Sequence, residues 1–530
     1  MTANFKTSPA ETPDMTAGDR PNFLVFCTDQ QRADHLGCSG HSTLQTPNLD
    51  ALAARGTRFE NAYTPSPICM CARASLLTGQ TNRGNHMRRH GIGLPEDIPT
   101  LPGMLAGVGY RTHAVGKQHL RPWGAPIGVT LDDIETPESN PERRQHWLDG
   151  RIERSPDDYY GYQTQDMVIG HGHYAVDGGD YAVWLHRNHP GAAERYDKRG
   201  HTGDLGLDLD PELHYNRWIA DRSIDFLHDH AGSDRPFYLW CSFPDPHNPF
   251  TALRGYADRY PASDIELKDA ALREPAPDVC RILEKLRNPG RPTGEPRDPE
   301  RLVETVRQVY GMITHMDDEI GRVLGALEAS GMAENTVVVF LSDHGEELGD
   351  HGLLFKGMWP YDGSQKVPWI VSVPGGVRGA VVDDVVSTLD FVPSMLELAG
   401  VSQPEDPRVN DAYREAMDPL PASLPGESLA RIFREGGRPD RRNALIELDD
   451  DNQSEFDVVQ TRTLVRNDYK LVTYAPTNEL VLFDRREDPE ETTNRAGDPA
   501  YEKVLASMLS ELVQAIARTE PRTPRRFSGA

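Results

Sequence analysis

Thr336-Val-Val-Val-Phe-Leu-Ser-Asp-His-Gly345 is the stretch whose reading decides the fold. Residues 336–341 are β-branched or apolar without polar alternation, which predicts a strand buried on both faces, as in parallel sheets covered by helices. Upstream, Val306, Val309, Ile313, Met316, Ile320, Val323 and Leu327 recur at helical spacing, predicting a helix from about Leu302 to Ser330 that Gly331 ends. A long helix feeding a central strand belongs to an α/β layer architecture, and the chain continues this alternation without an internal repeat.

Three further strand-like segments end, like this one, in polar clusters. Asn22 to Phe26 delivers Asp29-Gln30, Tyr110 to Val115 delivers Lys117-Gln118-His119, and Phe237 to Trp240 leads to Asp245-Pro246-His247. Ligands of open α/β sheets bind outside the carboxyl ends of strands, so the four clusters are expected to converge. Asp29, Gln30, Asp343 and His344 together could hold a divalent cation, their oxygens favouring a hard one. Taken singly, each pair is equally a turn or a helix cap. Lys117 and His119 would share one face of an extended segment, one to hold an anion and the other to handle a proton, although a surface loop explains the pair as well.

Between these clusters the patterning changes. Asn48 is expected to cap a short helix carrying Leu49, Leu52 and Ala53 before Gly56. Residues 120–213 and 251–300 are rich in Pro, Asp and Gly with little periodicity and read as inserted loops. Past roughly Pro421 the chain turns to short strands, Thr463 to Val465, Lys470 to Tyr474 and Leu480 to Phe483, then a terminal helix from about Tyr501 to Arg518. The expected organisation is a disordered tail over 1–20, an α/β catalytic domain over 21–420 built on a large, mostly parallel sheet sandwiched by helices, and an α+β subdomain with a short antiparallel sheet over 421–530.

Composition narrows the function classes. A net charge of −26 over 530 residues opposes nucleic-acid binding, which needs clustered Lys and Arg. Any anionic substrate must then meet a few cations gathered in a pocket. No apolar run in the first twenty residues resembles a signal peptide, and no stretch is long enough to span a membrane, so a cytoplasmic location is expected. Six cysteines make a poor disulfide framework in a chain of this length. Cys27, Cys38 and Cys241 are expected as buried thiols beside strands.

Cys69-Met-Cys-Ala-Arg-Ala-Ser-Leu-Leu-Thr-Gly79 is different in kind. It follows Pro65 and Pro67 and becomes helix-compatible, placing Cys69 near a helix N-terminus with Arg73 one turn later on the same face. A cysteine there has a lowered pKa and faces anions well. Spacing alone also allows a redox-sensitive pair with Cys71 or half of a zinc site, the latter without a second cysteine pair to complete it.

Cys69 to Gly79 resembles the sulfatase signature, a Cys or Ser followed four residues later by Arg and then by Leu-Thr-Gly. The other clusters follow the family's order, from Gly116-Lys117-Gln118-His119 through Ser342-Asp343-His344-Gly345 to Asn467-Asp468-Tyr469-Lys470-Leu471, with Phe483-Asp484 and Asp488-Pro489-Glu490-Glu491 resembling its C-terminal part. The resemblance implies an alkaline-phosphatase-like fold, a small-molecule sulfate ester as substrate, and oxidation of Cys69 to formylglycine by a formylglycine-generating enzyme. It makes Asp29, Gln30, Asp343, His344 and the modified Cys69 the ligands of one divalent metal, usually Ca²⁺, with Mg²⁺ or Mn²⁺ as alternatives. It also implies that Arg73 steadies the formylglycine, that Lys117 and Lys356 hold sulfate oxygens, and that His119 and His247 lie by the nucleophile and the leaving group. A hydrated aldehyde suits such a reaction because one hydroxyl can attack and the other provides the exit. Gln30 and His344 stand where the family often has Asp and Asn, which resembles the phosphonate monoester hydrolase and phosphodiesterase branch. Cys71 stands where the modifying enzyme usually meets Pro or Ala. The competing readings are therefore a phosphonate or phosphodiester hydrolase and an unmodified anion-binding protein, with the oligomeric state left open.

Overall fold

The computed structural model describes residues 20–124, 136–196, 205–267, 298–401, 424–450, 459–475 and 477–520. Eight strands build the large sheet: β1 Asn22–Thr28, β2 Thr57–Tyr63, β3 Arg111–Gly116, β4 Thr164–Met167, β5 Phe237–Ser242, β6 Thr336–Ser342, β7 Lys366–Ser372 and β8 Ala380–Ser387. Their order is β4-β3-β5-β1-β6-β7-β2-β8. The first five strands of that order run parallel, and β7 lies antiparallel to both β6 and β2. The decisive strand β6 sits beside β1 near the middle, Leu24 pairing with Val338 on one side and Leu239 on the other.

Alternation along β1 explains the layers. Phe23, Val25 and Cys27 join the core that holds Met70, Cys71 and Ala74 on one face, whereas Leu24 and Phe26 join Trp218, Ile219, Met316, Ile320 and Val323 on the other.

 The residues on the first face belong to the helix Cys69–Thr78, and those on the second to Tyr215–His230 and Pro299–Ala329. With the shorter helix Pro47–Arg55, these are named in chain order α1 (Pro47–Arg55), α2 (Cys69–Thr78), α3 (Tyr215–His230) and α4 (Pro299–Ala329). Both faces of the sheet are covered, as the unbroken apolar run of β6 requires.

Several local expectations change. Helix α1 starts at Pro47, and the Asn48 side chain donates to Asp317 Oδ2 of α4 at 2.9 Å instead of capping. Proline suits the first helical position because the amide it lacks has no partner there. Helix α4 begins three residues before the predicted Leu302, because the Asp298 side chain accepts from the Glu300 amide and fixes the start. Cys38 is half-buried in a short 3₁₀ turn, where its amide donates to Asp50 Oδ1 at 2.6 Å. Within the stretch read as inserted loops, Thr164–Met167 forms β4 at the sheet edge and Asp180–Asn188 is helical.

The second sheet is antiparallel in the order β12-β11-β10-β9, from β9 Asn443–Asp450, β10 Val459–Arg466, β11 Tyr469–Ala475 and β12 Glu479–Asp484. The terminal helix, α5 Glu502–Arg518, packs Met508, Leu512 and Ala515 against Leu464, Leu471 and Leu482. The expected tail up to residue 19, most of the 251–300 stretch and the boundary near residue 420 lie outside the described residues. No described helix is long and apolar enough to cross a membrane.

Candidate active site

Strand register brings the polar clusters together. Thr28 pairs with Ser342 and Gly116 with Ser242, so Asp29, Asp343 and Lys117 each follow the last residue of a parallel strand. Backbone bonds continue past the strand ends, from the Asp343 amide to Thr28 O at 3.1 Å and from the Lys117 amide to Ser242 O at 3.1 Å. Gly116 has a φ of 95°, and a Cβ there would lie 1.9 Å from Ser242 O, so only glycine lets the chain turn Lys117 inward at this point.

Arg73, one turn into α2, clasps all four strand ends. Its Nε donates to Asp343 Oδ2 at 2.8 Å and its Nη2 to Asp29 Oδ2 at 3.1 Å, while Nη1 donates to Lys117 O and Ser242 Oγ, both at 2.8 Å. The buried guanidinium thus satisfies two buried carboxylates, which otherwise could not remain charged. Lys117 Nζ adds an ion pair to Asp29 Oδ2 at 2.6 Å. Although burial opposes ionisation of Asp29, the charges of Lys117, His247 and Arg73 hold its carboxyl well below the usual range.

With the Oδ2 atoms engaged by cations, the Oδ1 atoms face Cys69 and His344. Cys69 Sγ lies 3.1 Å from His344 Nε2 and 3.6 Å from Asp29 Oδ1. One ligand atom from each of Asp29, Cys69, Asp343 and His344 falls within 4.8 Å of the others. His344 Nδ1 donates to Gly345 O at 2.9 Å, which directs Nε2 at the carboxylates. Burial lowers the His344 pKa, but Asp343 and Cys69 outweigh it and raise the value above that of a free histidine. The same negative potential would be relieved by a cation, and two carboxylate oxygens with an imidazole nitrogen are a suitable donor set for a divalent one. Burial and Asp29 raise the Cys69 pKa, and Lys356, Lys117 and His344 reverse the balance and lower it.

A second chain of contacts lines the other side. Glu346 accepts from Gln30 Nε2, Gln30 Oε1 accepts from Lys356 Nζ, and Lys356 Nζ lies 2.5 Å from His247 Nε2. Gln30 therefore presents to Lys356 the oxygen that the sequence assigns to a cation. His247 Nδ1 donates to Asn248 O at 2.5 Å, leaving Nε2 to accept from the lysine. Burial, with His171 and Lys356 nearby, holds the His247 pKa well below that of free histidine. Burial and Lys117 do the same for His119, so both rings are proton acceptors near neutrality. His119 has a φ of 57°, so its segment is not extended and the same-face argument for Lys117 and His119 does not describe it.

The profile of the family described as Sulfatase matches residues 21–401. The chain belongs to the sulfatase family. A second profile, N-sulphoglucosamine sulphohydrolase, C-terminal, matches residues 349–518. This sulfatase is 28% identical to an arylsulfatase of Clostridium perfringens over 522 residues, covering 94% of this chain and 95% of the relative. It is 30% identical over 499 residues to the uncharacterized sulfatase YidJ of Escherichia coli, covering 93% and 86% of the two chains. A phosphonate monoester hydrolase of Agrobacterium radiobacter shares the fold, with a TM-score of 0.71, 24% identity, and 94% and 96% of the chains covered.

Asp29, Gln30, Cys69, Arg73, Lys117, His119, His247, Asp343, His344 and Lys356 of the sulfatase lie in or beside this cluster, while Asp245 turns away to accept from Tyr215 and from Asn216 Nδ2. Sequence reasoning missed Glu346, Ser242 and His171. Glu346 directly follows the Ser342-Asp343-His344-Gly345 cluster, a signal that could have found it. Ser242 ends a strand that was read, whereas nothing local to His171 marks it.

Proposed function

We propose that this sulfatase cleaves a sulfate monoester using a formylglycine made from Cys69 and one divalent cation, Ca²⁺ first, held by Asp29, Asp343, His344 and the modified Cys69, with Gln30, whose oxygen accepts from Lys356, as the remaining ligand. The observation that carries this is the placement of Cys69 Sγ beside His344 Nε2 and Asp29 Oδ1, at the start of the helix whose Arg73 clasps both carboxylates. When present, the formylglycine supplies the attacking oxygen and the cation screens the negative charge of the sulfate.

The chain's own residues do the rest. Lys117 and Lys356 bring two positive charges to a centre otherwise lined by carboxylates, where they hold the sulfate oxygens. His247 and Lys356, in contact through Nε2 and Nζ, together assist the departing alcohol, the lysine as the proton donor of the pair. His119 accepts the proton whose removal releases sulfate. All ten residues of α2 are buried, so a formylglycine-generating enzyme has to meet the Cys69 segment before the protein folds.

A second reading, phosphonate monoester hydrolysis, is favoured by Gln30 and His344 together, which stand where the family often has Asp and Asn. Protein coexpressed with the modifying enzyme should show the aldehyde mass at Cys69 and hydrolyse an aryl sulfate faster than the matched phosphonate monoester. Reversed specificity constants would transfer the protein to the second reading, and full turnover by protein with a Cys69 thiol would end the formylglycine mechanism.

A further inference from the structure

Outward from the buried histidines, the wall of the site changes character. The His171 ring lies against His247 with centroids 3.6 Å apart and planes tilted by 32°, and the Trp123 ring lies 6.1 Å from His171 and 6.5 Å from His119. His119, His171 and His247 are buried, whereas Trp123, Tyr174 and Arg144 are only half-buried. Trp123 is thus the half-buried ring that stands beside both buried histidines, His119 and His171. The Arg144 guanidinium lies 5.4 Å from the Trp123 ring centroid and 5.1 Å from that of Tyr174. Its Nη1 forms an ion pair with Asp177 Oδ2 at 3.5 Å but makes no hydrogen bond among the described residues, which leaves that donor for a ligand. The Nδ1 atoms of His119 and His171 are buried and make no hydrogen bond among the described residues. Buried polar atoms ordinarily have partners, so these two are placed to meet a ligand's hydroxyl or ring oxygen.

We propose that Trp123, Tyr174, Arg144 and His171 form the subsite for the alcohol half of the ester, and that they select a ring-shaped, neutral or anionic alcohol over a cationic one. The proposal rests on the sulfatase reading of the centre beneath it. A flat ring finds aromatic surface at Trp123 and hydrogen-bonding nitrogens at the two histidines. An anionic substituent finds the guanidinium. A quaternary ammonium finds the aromatic faces that would attract it already held by Arg144, and is repelled by that charge.

The test compares cyclohexylmethyl sulfate with choline sulfate, two esters of primary alcohols that differ in ring and charge. The wild-type enzyme should favour the ring ester by at least about tenfold in kcat/KM. Trp123→Ala should lose about tenfold on the ring ester, mainly through KM, and leave choline sulfate nearly unchanged, while Trp123→Phe should stay close to wild type. Arg144→Ala should improve choline sulfate. A wild-type preference for choline sulfate, or equal losses on both esters in Trp123→Ala with Trp123→Phe no better, would overturn the subsite. Calorimetric binding of both esters to Cys69→Ala reads the same preference without turnover. Ring-selective binding by a wild-type protein that hydrolyses neither ester would therefore sink the sulfatase reading alone, and unselective binding would sink the subsite.

Discussion

Glu346 shows how one buried carboxylate orders a site without touching the reacting atoms. Its Oε1 accepts from the Leu348 amide at 2.9 Å and from the Phe355 amide, and its other oxygen accepts from Gln30. Because only the amide nitrogen of Gln30 can donate to it, Glu346 decides which way Gln30 faces and holds the loop that carries Lys356. Glu346→Ala should lower kcat/KM by about 10–100-fold, the usual effect of losing an orienting partner, and reduce bound metal measured by elemental analysis. Unchanged activity and metal content would refute the role. Cys71 makes the complementary point: it packs in the core beside Met70 and Ala74, whereas Cys69 faces His344. Cys71→Ala should therefore keep much of the turnover that Cys69→Ala abolishes, with the aldehyde found by peptide mass at position 69 in the former.

At the scale of the element, α2 works as a clasp between four strands. A lysine at position 73 keeps the charge but not the fork that reaches Asp29, Asp343, Lys117 O and Ser242 Oγ together. Leaving two buried carboxylates with incomplete partners costs about 3–5 kcal/mol. Arg73→Lys is expected to lower the melting temperature and to reduce kcat at least about 100-fold, because the carboxylates beside Cys69 lose their fixed geometry. A variant that melts like wild type and retains kcat would show that charge alone suffices.

Across the whole molecule, the two sheets are joined by a buried charge cluster. Lys470 of β11 places Nζ 2.5 Å from both Asp362 and Glu491, and Arg485 Nη2 lies 3.2 Å from Asp362 Oδ2. Lys470→Met should destabilise the protein by about 3 kcal/mol in denaturant unfolding, since it leaves the buried Glu491 without its cation while Asp362 keeps Arg485. Adding Glu491→Leu to that variant should recover part of the loss, and no recovery would show that the pair is not coupled. The cation site acts at the same scale, because an ion that binds only the folded state stabilises it by about 2.7 kcal/mol at a hundredfold excess over its Kd. Chelation should lower the melting temperature, added Ca²⁺ should restore it, and Asp343→Asn should remove the response.

The sequence by itself determined the alternation of layers and the chemistry available. The unbroken run of β6 can be stable only between two covered faces, and the motif from Cys69 to Gly79 names its own family. Those signals are local, because strand burial and helix periodicity are written in consecutive residues. Only the tertiary structure decided what meets what. The edge strand β4 was illegible because its four residues gain their bonds from β3 and not from their own pattern. Arg73 and Glu346 act through partners up to hundreds of residues away, and His171 becomes part of the site only by its ring contact with His247. Hydrogen bonds and ring contacts depend on distances in space, which a sequence sets only through the fold.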